Sequence, residues 1–466
     1  MAQYQQMRTE RDSLGEVRIP TEAYWGAHTQ RAVENFGRAR YPIPGAMLRA
    51  LGLVKRAAAE VNGELGELSS DVARAIAAAA AEIEDGGWSD QFPVDVFQTG
   101  SGTSWNMNAN EVIARRAEEM LREESEPQQQ ALEIHPNDSV NRGQSSNDVI
   151  PTAILVAARK EGEELLAELR LLDEALEEAA ERGKGVVKLG RTHLQDAVPM
   201  TADREILAWK RRIFEASERL AHTLPALEML PLGGTAVGTG INAAPEFAAR
   251  TVERLAAATG FPFREAEDHF ASIASREECL QMMGAMDGVG AALEKMAEDL
   301  RLLVSGPRAG LAEYRIPATQ PGSSIMPGKV NPVLPEMVLQ AAISVSGSYA
   351  AVRSAAVRGP LQLNIVQPLI AKELLESLEL LSRTVERFVA GCITGLAVDP
   401  QRCGEEVEKS LALVTPLALR LGYELAAKIA KLAVEENITL REAARRESGL
   451  EEEELKRLLD PRSMIG

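Results

Sequence analysis

The chain of 466 residues holds only three cysteines, Cys279, Cys392 and Cys403, and no two of them stand in a C-x-x-C spacing. An odd, scattered set builds neither a disulfide framework nor a zinc site, so a reducing cytoplasm is the expected setting. Histidine is scarce as well, with His28, His135, His193, His222 and His269 making up the whole supply. Aromatic residues account for 4% of the chain, which argues against a β-sandwich. No uninterrupted apolar run approaches the roughly 20 residues of a membrane span, and the opening M-A-Q-Y-Q-Q-M-R-T-E-R-D contains no apolar signal region. Basic blocks are missing too. The 51 Lys plus Arg and 69 Asp plus Glu are interspersed and leave a formal net charge of −18. That balance excludes nucleic acid and anionic membrane as natural partners. An anionic substrate would have to be drawn by local donors, a lysine and helix N-termini, against the field of the whole chain.

What the chain has in quantity is alanine and leucine. Apolar residues are 45% of the total, and with so few aromatics this favours packed helices, so the expected class is all-α. Leu165, Leu169, Leu172, Leu176 and Ala179 step by four, three, four and three, predicting a long helix that ends at Gly183. Met286, Val289, Leu293, Met296, Leu300 and Leu303 repeat the pattern until Gly306 and Pro307 stop it. A third long helix is expected from about Leu369 through L-L-E-S-L-E-L-L-S-R-T-V-E-R-F-V. Seams of this length predict an elongated central bundle and shared faces between subunits. The expected division is a mixed, mainly helical N-terminal domain over residues 1–140, the long-helix bundle over 141–396, and a small helical C-terminal domain over 397–466.

Four polar islands interrupt the helical text. They are Q-T-G-S-G-T-S-W-N-M-N at 98–108, H-P-N-D-S-V-N-R-G-Q-S-S-N-D at 135–148, G-R-T-H-L-Q-D at 190–196, and P-G-S-S-I-M-P-G-K-V-N-P at 321–332. In the first, Gly100 and Gly102 allow close backbone approach, while Thr99, Ser101 and Thr103 offer hydroxyls. The following N-M-N-A-N-E-V-I-A can begin a helix whose free N–H groups attract an anion. In the second, Ser145, Ser146 and Asn147 precede Asp148 and an apolar helix, and an N-cap at Asp148 or Asn147 explains only part of the row. His135, Asn137 and Asp138 make either an ordinary turn or a second anion site. In the third, His193 beside Thr192 is a candidate acid or base near neutral pH. In the fourth, two prolines bracket an Ile325-Met326 tip, and Lys329 and Asn331 lead into a helix expected from Pro335-Glu336. Taken singly, each island also reads as a turn, a cap or a linker. Their sum is a site for a small carboxylate, with hydroxyls and amides to bind it, one lysine for charge, one histidine to move a proton, and no metal cluster.

The stretch G-S-S-I-M-P-G-K-V-N-P resembles the hallmark loop of the fumarase/aspartase superfamily, and the other islands fall where that superfamily's remaining motifs would. The likeness runs from about residue 8 to the end of the chain. Q-T-G-S-G-T, S-S-N-D at 145–148 and L-G-G-T-A-V-G-T-G at 232–240 are most similar to class II fumarate hydratases, whereas aspartases tend to carry G-G-A-G-T and S-T-N-D. The resemblance implies an all-α homotetramer with active sites assembled from three subunits, no cofactor, and hydration of fumarate to L-malate in the tricarboxylic acid cycle. It implies that Ser323 is the base at C3 of malate and that Lys329 and Asn331 stabilise the resulting aci-carboxylate. His193, oriented by Glu336, would handle the water or leaving hydroxyl. Ser101, Thr103, Ser145, Ser146, Asn147, Thr192 and Ser324 would bind the two carboxylates. His135, Asn137 and Asp138 match a second dicarboxylate site, although Leu132 stands where an arginine is frequent. Trp105, T-A-D-R-E at 201–205 and S-G-S-Y at 346–349 also depart from the pattern, and L-Q-L-N at 361–364 leans towards aspartase. Aspartate ammonia-lyase is therefore the runner-up, and an inactive structural protein on the same scaffold is the third reading.

Overall fold

The computed structural model describes residues 6–124, 133–322 and 324–465; Ser323 and Leu132 lie outside them. Among the described residues strands are short and pair only in twos, and helices form the frame, so the class is all-α. In chain order the hairpin β1 (Met7–Asp12) and β2 (Gly15–Pro20) precedes α1 (Ala27–Phe36), α2 (Gly45–Glu64), α3 (Ser70–Glu84) and α4 (Thr103–Glu124). The 37-residue α5 (Ser146–Arg182) leads to a second hairpin, β3 (Val187–Thr192) and β4 (Gln195–Thr201). Next come α6 (Ala202–Ala221), α7 (Phe247–Thr259), α8 (His269–Ala274), α9 (Glu277–Leu303), α10 (Val333–Ala356) and α11 (Gln367–Phe388). The shorter α12 (Pro400–Lys409), α13 (Val414–Leu421), α14 (Tyr423–Glu436), α15 (Leu440–Glu447) and α16 (Glu452–Leu458) follow. No helix is long and apolar enough to cross a membrane among the described residues.

The three seams read from the sequence are buried as their spacing requires. Leu165, Leu169, Leu172, Leu176 and Ala179 line one face of α5, and the six seam residues of α9 are likewise buried. The N–H of Gly183 takes up the carbonyls of Ala179 and Ala180 where α5 ends. Helix α10 starts at Val333, two residues before Pro335, because proline is well tolerated in the first turn of a helix. The helical reading of the sequence contains neither hairpin. In V-K-L-G-R-T-H-L-Q-D-A-V-P-M-T the alternation is short and broken at Leu189–Arg191 by a shift of register, which hides the strand signal.

The chain forms two compact units, one of Met1–Leu166, Arg219–Gly288 and Ser344–Leu381, the other of Ala167–Glu218, Val289–Ile343 and Ser382–Gly466. In the second unit Leu189 of β3 is buried in one cluster with Val407, Leu417, Ile429, Leu440 and Leu455 of the shorter helices. The opposite anchor of the hairpin is ionic. The Lys188 ammonium, 1% exposed, donates to Glu205 at 2.6 Å and pairs with the fully buried Glu313 at 3.0 Å. The Arg191 guanidinium grips both oxygens of Glu313 at 2.8 and 3.0 Å, and the Tyr314 hydroxyl donates to Glu205 at 2.8 Å. Glu205 belongs to T-A-D-R-E, so that departure carries a carboxylate that the base of the hairpin uses. Breaking a buried ion pair from one side leaves a charge without compensation. Glu313→Ala is expected to lower stability by about 3–5 kcal/mol, measured as a fall in the urea midpoint, with Glu313→Gln losing less.

Candidate active site

The first unit carries the hydroxyl-rich islands. The carbonyl of Gly100 accepts the Gln367 N–H at 2.9 Å, and a Cβ on Gly100 would stand 1.7 Å from the Ile365 carbonyl oxygen, so no larger residue fits. Helix α4 begins at Thr103, three residues before the expected start at Asn106, because the Gln98 side chain accepts the N–H of Trp105 at 3.1 Å. Ser101 and Thr103 are thereby brought together, their hydroxyls 2.8 Å apart. Trp105 is fully buried and donates its indole N–H to the Val94 carbonyl, so the ring serves the core.

In the second island the cap is Ser145, not Asn147 or Asp148. Ser145 Oγ accepts the Asn147 N–H at 3.2 Å, an N-cap bond to the second helical residue, and Asp148 accepts the Ser145 N–H at 2.9 Å. Ser146 and Asn147 follow in the first turn of α5, both part-exposed. The other Asp148 oxygen accepts the N–H groups of Gly233 and Thr235 at 3.0 and 2.9 Å, and Asn147 donates to the Ala236 carbonyl at 2.8 Å. The L-G-G-T-A-V-G-T-G segment is thus tied to the Ser145–Asn147 row by one buried carboxylate. Burial pushes that carboxyl up to about 6, opposed by its three N–H donors. Elsewhere, His135 Nδ1 accepts the N–H groups of Asn137 and Asp138 at 3.3 and 3.2 Å, closing a single π-type turn. This gathers His135, Asn137 and Asp138 at an exposed corner, where Asp138 Oδ2 also stands 3.2 Å from His135 Nδ1.

The second unit carries the proton-transfer candidates. Thr192 pairs with Gln195, and the two residues between them, His193 and Leu194, both take left-handed backbone angles, with φ of 56° and 61°. Such a two-residue turn normally uses Asn and Gly. His193 therefore sits on an exposed, strained hairpin tip. The 321–332 loop is cinched at its neck. The Gly322 N–H donates to the Lys329 carbonyl at 2.9 Å, and Asn331 Nδ2 donates to the Gly322 carbonyl at 2.7 Å. A Cβ on Gly322 would meet Lys329 O at 2.5 Å and Asn331 N at 2.6 Å, which requires glycine. Ser324, Ile325, Met326 and Lys329 are exposed, and Glu336 lies in the first turn of α10. No hydrogen bond or ion pair joins His193 to Glu336 among the described residues.

Residues 15–347 match a family model described as lyase, and residues 413–466 match one described as fumarase C C-terminus. A class II fumarate hydratase of Xylella fastidiosa (strain 9a5c) is 48% identical over 466 residues, covering 100% of this chain and 96% of its own. One from Pseudomonas putida is 46% identical, covering 98% of each. The chain belongs to the class II fumarate hydratase family. It is a lyase. Among solved structures, a class II fumarase from Schistosoma mansoni superposes with a TM-score of 0.90 at 36% identity, covering 98% of this chain and 99% of that one. A fumarate lyase:delta crystallin from Brucella melitensis gives 0.91 at 42%, with the same coverage.

Within this fumarate hydratase family fold, Asp148 is the residue that reading the islands one by one undervalued. Its signal was present, an acid three residues after a serine at the start of an apolar helix, but its second set of donors lies more than 80 residues away. Asp148→Ala would leave three buried or part-buried N–H groups without an acceptor, at about 1–3 kcal/mol for each that water cannot reach. The expected outcome is a lowered urea midpoint together with faster amide exchange at Ser145, Gly233 and Thr235.

Proposed function

We propose that this protein catalyses the reversible hydration of fumarate to L-malate. The observation that supports this most is similarity over the whole chain to proteins named class II fumarate hydratase. Starting from malate, Ser323 Oγ takes the C3 proton, and the electron pair left behind moves into the adjacent carboxylate to give the aci-carboxylate. Lys329 and Asn331 stabilise that added charge. As the C2–C3 double bond forms, the C2–O bond breaks and the hydroxyl leaves as water with a proton from His193, which Glu336 orients. Ser101, Thr103, Ser145, Ser146, Asn147, Thr192 and Ser324 hold the two carboxylates. A serine acts as a base only where donors surround it and water is kept away. The Gly322 neck and the apolar Ile325-Met326 tip are suited to build such a pocket once substrate is present.

The site is completed in a homotetramer, in which three subunits meet at each active site and bring Glu336 to His193. The domains at 1–140, 141–396 and 397–466 go with this assembly. His135, Asn137 and Asp138 form a second dicarboxylate site, and the protein serves the tricarboxylic acid cycle in the cytoplasm. The aspartase reading drew on Leu361 and Gln362 of L-Q-L-N, both exposed, whereas Asn364 is fully buried and spends its amide on the Ala355 and Ala356 carbonyls and the Val366 N–H.

Purified protein given L-malate or L-aspartate without added metal, and followed by the ultraviolet absorbance of fumarate, is expected to respond to malate alone. Ser323→Ala is expected to reduce kcat by about 10²–10⁴-fold, the usual worth of a positioned base. A response to aspartate alone, or a Ser323→Ala protein that keeps most of its turnover, overturns the assignment.

A further inference from the structure

Helix α2 reads L-G-L-V-K-R-A-A-A through its middle, and there Lys55 is fully buried among Leu51, Leu53, Val54, Ala58 and Ala59. A cation in such a run is unfavourable, and a methionine would fill the same volume without desolvating a charge. Burial accordingly lowers the Lys55 pKa to about 7. Its hydrogen-bond partners are not carboxylates. The ammonium donates to Asn141 Oδ1 and Gln144 Oε1, each at 2.9 Å.

Those two amides are the supports of the 141–148 loop. Asn141 Nδ2 donates to the Gln144 carbonyl at 3.1 Å, and Gln144 Nε2 donates to the Val140 and Arg142 carbonyls at 3.0 and 3.2 Å. Asn141 Oδ1 also accepts from Asn106 of α4 at 3.1 Å, which links the loop to the helix begun by Ser101 and Thr103. A second tie from α2, Asn62 Nδ2 to the Arg142 carbonyl at 3.0 Å, fixes the same loop. From Gln144 the chain enters Ser145, whose N–H is held by Asp148, and Asp148 in turn holds Gly233 and Thr235. Arg142, the loop's own cation, is turned to Glu67 at 2.5 Å.

We infer that Lys55 is a positioning residue for dicarboxylate binding, pinning the Ser101–Thr103 and Ser145–Asn147 hydroxyl rows in register through Asn141 and Gln144. The role rests on the proposed fumarate hydration, because those hydroxyl rows are the carboxylate site of that reading. Lys55 touches no substrate, so its loss acts on binding more than on the chemical step.

The test uses the full-length protein and its Lys55→Met and Gln144→Met variants, the second keeping side-chain volume while removing the acceptor for Lys55 together with the donor to the Val140 and Arg142 carbonyls. Steady-state kinetics with L-malate and hydrogen exchange of the backbone are read on each. The expected result for Lys55→Met is a KM raised at least tenfold with kcat within about threefold, and faster exchange at 100–106, 142–148 and 233–236. Gln144→Met is expected to show the same split to a lesser degree, and it carries the test if Lys55→Met does not fold. An unchanged KM in whichever variant folds overturns the proposal, as does a loss confined to kcat. If the unaltered protein turns over no malate, the hydratase reading fails, while the exchange arm still decides whether Lys55 pins the three segments.

Discussion

A carboxylate removed from water must collect donors, and in this chain the buried carboxylates collect loops. Asp148 takes the N–H groups of Ser145, Gly233 and Thr235. Glu111 of α4 takes those of Gly26, His28 and Thr29 at 2.8–3.1 Å, satisfying the otherwise open start of α1. Asp95 takes those of Arg40, Tyr41 and Phe97 at 2.7–2.9 Å. Glu313 holds Lys188 and Arg191 at the base of a hairpin. A helical frame of alanine and leucine needs such directional polar groups to fix irregular backbone, because apolar packing is non-directional. The loops that carry the polar islands are therefore held by several hydrogen bonds wherever one of these acids reaches.

The hairpin tip shows what that anchoring permits. His193 and Leu194 both occupy the left-handed region, at a cost of about 1–3 kcal/mol for each such residue. A free hairpin would shed that strain. Here the base is clamped by the Lys188–Glu313–Arg191 cluster and by Leu189 in the core of the shorter helices. The strain is held where His193 projects from the surface. The 321–332 loop is built differently. It is tied at its neck through Gly322, Lys329 and Asn331, and the exposed Ile325 at its tip has apolar area that the pocket of the proposed reaction would take from water.

The helices were legible because their seams are long. Five or six apolar residues at steps of three and four leave little choice of period, and α5, α9 and the body of α11 follow. The hairpins were not, since six- and seven-residue strands with a shifted register carry too little alternation to stand out. Within the islands the residue types pointed to a carboxylate site, but their supports did not show. Asp148 finds Gly233, Gln98 finds Trp105 and Gly100 finds Ile365 through the fold. Such pairings are set by tertiary contact rather than by neighbours in sequence. The helix starts erred by two or three residues for the same reason, as the caps at Gln98 and Ser145 depend on where a side chain can reach.

The charge of −18 poses a problem for a protein proposed to bind dianions, and the local arrangement answers it. At physiological ionic strength charges beyond about 8 Å are largely screened, so the many surface Glu residues act weakly at the site. What matters is which ionised groups stand close. Residues 98–108 contain none, 141–148 contain only Arg142 and Asp148, and the buried Lys55 donates to the second loop from α2. The arginine is paired with Glu67, and the aspartate is buried with its lone pairs spent on three N–H groups. Neither repels nor claims a substrate carboxylate strongly. In the proposed reaction the hydroxyls of Ser101, Thr103, Ser145 and Ser146 would meet a dianion with little fixed charge in their own segments, and Lys329, exposed on its loop, would supply the charge. Keeping neutral binding groups and the cation on separate segments would let the added negative charge of the reaction meet its cation. Such a division favours the charge that develops during reaction over the charge already present in the ground state.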